Sequence, residues 1–215
     1  MDRSPFKIMK LNNNLLQLFM LLNSQSSNNY LVGGCVRDWL MDQKPKDFDI
    51  VTDVHMDTIE ELFSQNGWIV DTVGKQFLVM FVSKNGEQYE IANFRNDGGY
   101  SDGRRPDSVS IGDITTDAAR RDFTVNSIYY NPLIGRFIDP NNGRKDLELR
   151  ILKFIGKPKE RIEEDYLRVF RFYRFLKKGL KPEKKSLKAC REMFNMAYSK
   201  CTPERVRNEI EGMVI

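Results

Sequence analysis

The 215-residue chain is poor in the side chains that build disulfide and zinc sites, with three cysteines and one histidine. Cys35, Cys190 and Cys201 are odd in number, widely spaced and in no metal-ligand pattern. That excludes a disulfide framework and leaves a poor zinc set, so a reduced, intracellular, cytoplasmic protein is expected. No apolar run nears the roughly 20 residues that span a bilayer, and no membrane partner is expected. The run LLQLFMLL (15–22) has only Lys7 and Lys10 ahead of it and no small-residue cleavage site behind it. It reads as an amphipathic or buried first helix over 8–24, not as a signal peptide. Internal repeats and low-complexity tracts are also missing.

What is present suits one large domain or two small ones, with 40% hydrophobic and 30% charged residues. The net charge of +4 is unevenly spread. Residues 144–215 carry 20 lysines and arginines against 11 carboxylates, and residues 1–143 carry 14 against 19. The pattern fits a polyanion held at the basic end with metal chemistry at the acidic one, or simply solvated lysine-rich helices. Strand-like runs recur at YLVGG (30–34), FDIVT (48–52), FLVMFVS (77–83) and YEIANF (89–94), with helical patterns in VRDWLM and MDTIEELFSQNG between them. The tract 96–113, rich in Gly, Asp and Ser, reads as a long loop, a length that is usually functional or disordered. Beyond Asp139 the strand signals fade, and from Pro158 the pattern is helical, with Thr202-Pro203-Glu204 as a helix start. The division expected is a head over 1–143 and a helical second part over 144–215.

The stretch GGCVRDWLMDQKPKDFD (33–49) carries the chemistry. Gly33 and Gly34 follow a strand and precede a helix, where free N–H groups can hold phosphate, and Arg37 lies within reach of the same anion. Asp47 and Asp49, two apart on a strand, project from one face. Two carboxylates side by side repel, and a divalent cation such as Mg²⁺ relieves them; for DxD alone, a solvated edge serves as well. The glycines, the arginine and the DxD together describe a triphosphate beside its metal. Glu90, on a neighbouring strand, is the candidate third carboxylate of a two-metal site. The chemistry that follows is in-line attack of a hydroxyl on the α-phosphate of a nucleotide, with pyrophosphate leaving.

In order along the chain, GGCVRD…DFD, RRDFTVNS (120–127), FIDPNNGRKDL (137–147), EEDYLRVFRFYRF (163–175) and TPERVRNEI (202–210) resemble the five motifs of the class II tRNA nucleotidyltransferase and bacterial poly(A) polymerase family, in the polymerase-β-like superfamily. Ser127 stands where alanine is usual. The resemblance runs from about residue 28 to the end. It implies an α+β fold, a nucleotidyltransferase head of mixed sheet and flanking helices followed by an all-helical neck. The implied activity is template-independent addition of CCA to the tRNA 3′ end from CTP and ATP, with two Mg²⁺ ions, or Mn²⁺ in their place.

The resemblance also assigns residues. Asp165 and Arg168 form the protein template for the base, on one helix face at i, i+3. An ionised Asp only accepts and Arg only donates, which suits the amino group and ring nitrogen of cytosine or adenine and fails against uracil and guanine. Arg171 and Arg174 help position base and phosphates, and Arg121 and Asn126 contact the nucleotide. Phe123 and Phe172 are expected in the core. SDGRRPD (101–107) resembles the flexible loop associated with A addition, through Asp102, Arg104 and Arg105. Family members run well beyond 215 residues, so the resemblance implies a minimal enzyme or part of a longer one, lacking the usual RNA-gripping body and tail. Poly(A) synthesis, partial addition of only C or only A, and a non-catalytic RNA-binding remnant are the competing readings.

Overall fold

In a computed structural model, residues 8–104 and 106–214 are described. The first helix, α1 (Asn13–Asn23), is shorter than expected, because Asn12 caps it by accepting from the Leu15 N–H. Its Leu15, Leu18, Phe19 and Leu22, at helical spacing, are buried. β1 (Asn29–Val32) leads into α2 (Gly34–Leu40), and β2 (Asp49–Thr52) into α3 (Met56–Gln65). β3 (Ile69–Asp71), β4 (Val79–Lys84) and β5 (Glu87–Asn93) follow as a meander, then the hairpin β6 (Arg95–Asp97) and β7 (Val109–Ile111). α4 (Ile114–Arg120) starts on an Asp113–Thr116 capping box. β8 (Tyr129–Asn131) and β9 (Arg136–Ile138) complete the sheet.

Among the described residues the main sheet runs β3-β4-β5-β2-β1-β8-β9. Only β2 and β5 pair in parallel, which makes the sheet mixed. These central strands pair Asp49 with Glu90, Ile50 with Ile91 and Val51 with Ala92. Side chains alternate along a strand, so the acidic pair shares one face and the Ile pair faces the core on the other.

α5 (Gly143–Glu148), β10 (Ile151–Leu152), α6 (Pro158–Glu164), α7 (Arg168–Lys177), β11 (Lys181–Pro182), α8 (Lys184–Lys200) and α9 (Pro203–Glu211) form the second part. One hydrophobic cluster runs through both parts, from Met9 to Val206. Its hinge is aromatic: Phe123 lies 4.7 Å from Phe154 and 5.6 Å from Phe175, and Phe154 stacks on Phe172 at 5.7 Å. Phe123 and Phe172 are fully buried, as expected. No helix among the described residues is long and apolar enough to cross a membrane.

Four expectations need correction. The neck is not all helical, because β10 and β11 pair in parallel. The tract 96–113 is anchored at both ends by the β6–β7 ladder, which leaves 98–108 as the loop proper. β2 begins at Asp49, with Asp47 in a bend ahead of it, so strand alternation does not set the direction of both carboxylates. Asp165 and Arg168 do not share a helix: α6 ends at Glu164, Asp165 is extended (φ −149°) and α7 begins at Arg168.

Candidate active site

The site is built where β1 turns into α2. Gly33 sits at φ +77°, a conformation that disfavours a side chain. A Cβ placed there would lie 3.4 Å from Asp49 Oδ2 and 3.7 Å from the Arg121 guanidinium. One turn thus touches both a carboxylate and a cation. Below it opens a cavity of about 870 Å³, lined by Gly33, Gly34, Arg37, Asp47, Asp49, Arg121, Asn126, Arg171 and Arg174. Lys44, Lys46, Lys177 and Lys178 line it as well.

The arginines are held by buried partners. Asp117, fully buried on α4, is shared between Arg120 (2.6 Å) and Arg121 (2.9 Å) and accepts the Tyr129 hydroxyl at 2.7 Å. Burial alone would raise the Asp117 carboxyl, but the two arginines and Tyr129 outweigh it and hold it well below the usual range. On the other wall Arg37 donates to Asn126 Oδ1 at 2.6 Å and to Asp38. Asn126 donates to Asp122 at 2.9 Å, and Asp122 accepts from Arg171 Nε at 2.9 Å and pairs with its Nη2 at 2.7 Å. Burial would raise Asp122 too, yet Arg171, the Asn126 amide and Arg168 bring it down to about 2. Arg37 and Arg174 both stack on Phe175, at 4.5 and 5.1 Å from the ring centre.

The carboxylates face the opposite situation. Burial raises the Asp49 pKa, Asp47 raises it further, and Arg121 only partly offsets both. Burial and Asp49 raise Glu90 in the same way, against Arg95 and Arg121. Among the described residues none of the three has a cation within salt-bridge distance. A divalent cation fits this donor set, since it would remove the mutual repulsion. Among the described residues no three His, Cys, Asp or Glu side chains converge closely enough to hold an ion ready-made. Mg²⁺ at such a site would take one or two protein carboxylates and complete its shell with water and substrate phosphates. Asp47 and Asp49 line the cavity, while Glu90 stands beside Asp49 in the sheet without lining it. Cys35, next to Asp49, has its thiol pushed up to about 12 by burial, with Asp49 adding to it, and is no nucleophile.

The remaining sequence-derived residues lie outside the cavity. Asp165 accepts from the Leu167 N–H and pairs with Arg205 at 3.1 Å. Arg168 is buried; its terminal nitrogens donate to Glu164, to the Arg161 carbonyl and to the Arg120 carbonyl. Asp102 accepts from the Arg104 N–H, and Gly103 packs against Tyr166, whose N–H donates to the Gly103 carbonyl at 3.3 Å. The loop is therefore seated on the joint between α6 and α7. Arg105 lies outside the described residues. Asp122 and the cavity lysines were not expected from the sequence. A lone acid beside two arginines in RRDFTVNS was the available signal for Asp122.

A family model for the poly A polymerase head domain matches residues 29–153. The chain belongs to this family. The CCA-adding enzyme of Lactobacillus helveticus is 38% identical over 190 residues, which cover 86% of this chain and 46% of that enzyme. Poly(A) polymerase I of Haemophilus influenzae is 36% identical over 177 residues, 77% of this chain and 38% of that protein. The crystal structure of the Bacillus stearothermophilus CCA-adding enzyme in complex with CTP superposes with a TM-score of 0.81 at 28% identity, over 93% of this chain and 47% of that one. The chain thus spans about half the length of the family members it matches. The mixed sheet with flanking helices is the nucleotidyltransferase head of that family.

Proposed function

We propose that this chain carries the catalytic head and neck of a template-independent RNA nucleotidyltransferase that adds C and A to the tRNA 3′ end from CTP and ATP. The observation that supports it most is the single cavity in which the Gly33 turn, Asp47, Asp49 and the row Arg37, Arg121, Arg171 and Arg174 meet. The membership in a family that includes CCA-adding enzymes agrees with it.

In this reading the Gly33–Gly34 turn admits the triphosphate close to the backbone, and Arg121, locked by Asp117, meets its charge. Asp47 and Asp49 would hold Mg²⁺, with Glu90 next to Asp49 as the further carboxylate. When bound, the ion neutralises charge on the phosphates and lowers the pKa of the attacking RNA 3′-hydroxyl. Arg37 and Asn126 fix each other, and Arg171 and Arg174 present donors toward the nucleotide from the neck. Because these partners are preset, little reorganisation is required when charge develops on the phosphate. Asp165 would accept from the amino group of cytosine or adenine, and Arg168 would donate once its terminal nitrogens leave Glu164 and the Arg161 and Arg120 carbonyls. Asp102, Arg104 and Arg105 belong to the loop seated on this joint and would act in A addition.

A poly(A) polymerase is the second reading, favoured by the 36% identity to the Haemophilus protein. The test is incorporation of each labelled nucleotide, singly and mixed, into tRNA lacking one, two or three terminal residues, with an unrelated RNA alongside. Two C and one A, then arrest, on tRNA alone is the expected result. Long A tails on either RNA would favour the second reading, and no incorporation of any nucleotide would overturn both for this chain.

A further inference from the structure

The fifth motif, on α9, has no part in the chemistry described so far. Yet Arg205 reaches from α9 to the α6–α7 joint and contacts both oxygens of Asp165, at 3.1 and 3.4 Å. One turn further on, Glu209 meets Arg174 of α7 at 2.9 Å. Residues i and i+4 share a helix face, so one face of α9 holds both an acid and a base of the neck.

We propose that Arg205 is a positioning residue for base selection, holding the Asp165 carboxylate in one orientation so that its remaining lone pair can accept from a nucleobase amino group. This rests on the base-reading role given to Asp165 above. An ionised carboxylate offers about four acceptor directions. On Asp165, Oδ1 takes the Leu167 N–H and Arg205, and among the described residues Oδ2 takes the longer Arg205 contact alone. Oδ2 therefore keeps a free direction. The side chains of Asp165 and Arg205 are only 20% and 23% exposed, so water competes weakly with the pair. Asp165 lies in an extended break between two helices, with no helical backbone to fix its direction. Without Arg205 only the Leu167 N–H would hold the carboxylate, and its selection of amino-bearing bases would fade.

The test is equilibrium binding of CTP, ATP, UTP and GTP with Mg²⁺, by calorimetry, to the unaltered chain and to Asp165→Asn, Arg205→Gln and Arg205→Lys, with thermal unfolding of each. The unaltered chain should prefer CTP and ATP, and Asp165→Asn should lose that preference. Arg205→Gln should lower it about tenfold, the worth of one charge-assisted hydrogen bond. Arg205→Lys keeps the charge but carries it on a shorter stem than the Nη2 that makes both contacts, and should fall between the two. An unchanged preference in Arg205→Gln, or in Arg205→Lys should the former not fold, overturns the proposal. So does an equal weakening of all four nucleotides, which marks a merely structural pair. If the unaltered chain shows no preference, or Asp165→Asn retains it, the base-reading role itself fails, and the role of Arg205 with it.

Discussion

Asp122 offers the sharpest test of how the cavity wall is held. Its Oδ1 accepts from the Phe123 N–H and the Asn126 amide, and its Oδ2 accepts from Arg171 Nε and lies 2.7 Å from Nη2. In Asp122→Asn the amide NH₂ would either face Arg171, donor against donor, or give up the Asn126 contact. The carboxyl titrates at about 2 in the fold against 3.8 for an ordinary Asp. Nearly two pH units correspond to about 2–3 kcal/mol of stability at neutral pH. Breaking a buried pair from one side can cost somewhat more, about 3–5 kcal/mol, because the stranded partner stays desolvated. Arg171 keeps some solvent access, so about 2–4 kcal/mol is expected, or about 5–12 °C in melting temperature for a chain of this size. Since the folded pKa is depressed, this stability is present above pH 4 and lost as pH falls toward 2. Urea unfolding of both proteins at pH 7 and at pH 2–3 reads the gap directly. An Arg171→Leu background should remove most of it, because the pair is then already broken. A gap below about 0.5 kcal/mol at pH 7, or one that persists unchanged at pH 2, would refute the reasoning.

Gly33→Ala should cost about 1–2 kcal/mol from its positive φ and weaken CTP binding as well, since its Cβ would fill the space between the turn, Asp49 and Arg121; unchanged melting and affinity would contradict the close approach. Glu90→Gln should raise the melting temperature without metal, because burial and Asp49 disfavour the charged form, while lowering incorporation; a lower melting temperature would count against that carboxylate cluster. With the pKa values of Asp49 and Glu90 both raised, Mg²⁺-supported CTP binding should begin to fail on acidification at a pH above the usual carboxylate range of about 4. A calorimetric titration series across pH 4–7 checks this, and an acid limb at or below pH 4 would contradict the shifts.

Much of this site could be read from the chain because its residues lie close in sequence. The glycine turn, Arg37 and Asp49 fall within one strand–helix–strand passage, and alternation suffices to place Asp49 on the face opposite Ile50. The pairing of Asp49 with Glu90 needed only that two buried-type strands be neighbours. What stayed hidden depends on contacts between distant segments. EEDYLRVFRFYRF holds no Gly or Pro and reads as one helix. Its break at Asp165 coincides with contacts from Arg205, forty residues away, and from the Gly103 carbonyl to the Tyr166 N–H. Asp122 looks like an ordinary loop acid until Arg171, on another element, supplies its charge partner. The β6–β7 ladder was masked because Arg-Asn-Asp has poor strand propensity, and only the pairing itself reveals it.

The most direct measurement compares the unaltered chain with Asp47→Ala for incorporation of labelled CMP into tRNA lacking its 3′ terminus, with tRNA binding measured in parallel. Incorporation that disappears while RNA binding stays largely intact is the expected result, because Asp47 lies in the cavity and outside the hydrophobic core. Equal incorporation by both proteins would contradict the assignment of this cavity as the site of nucleotidyl transfer.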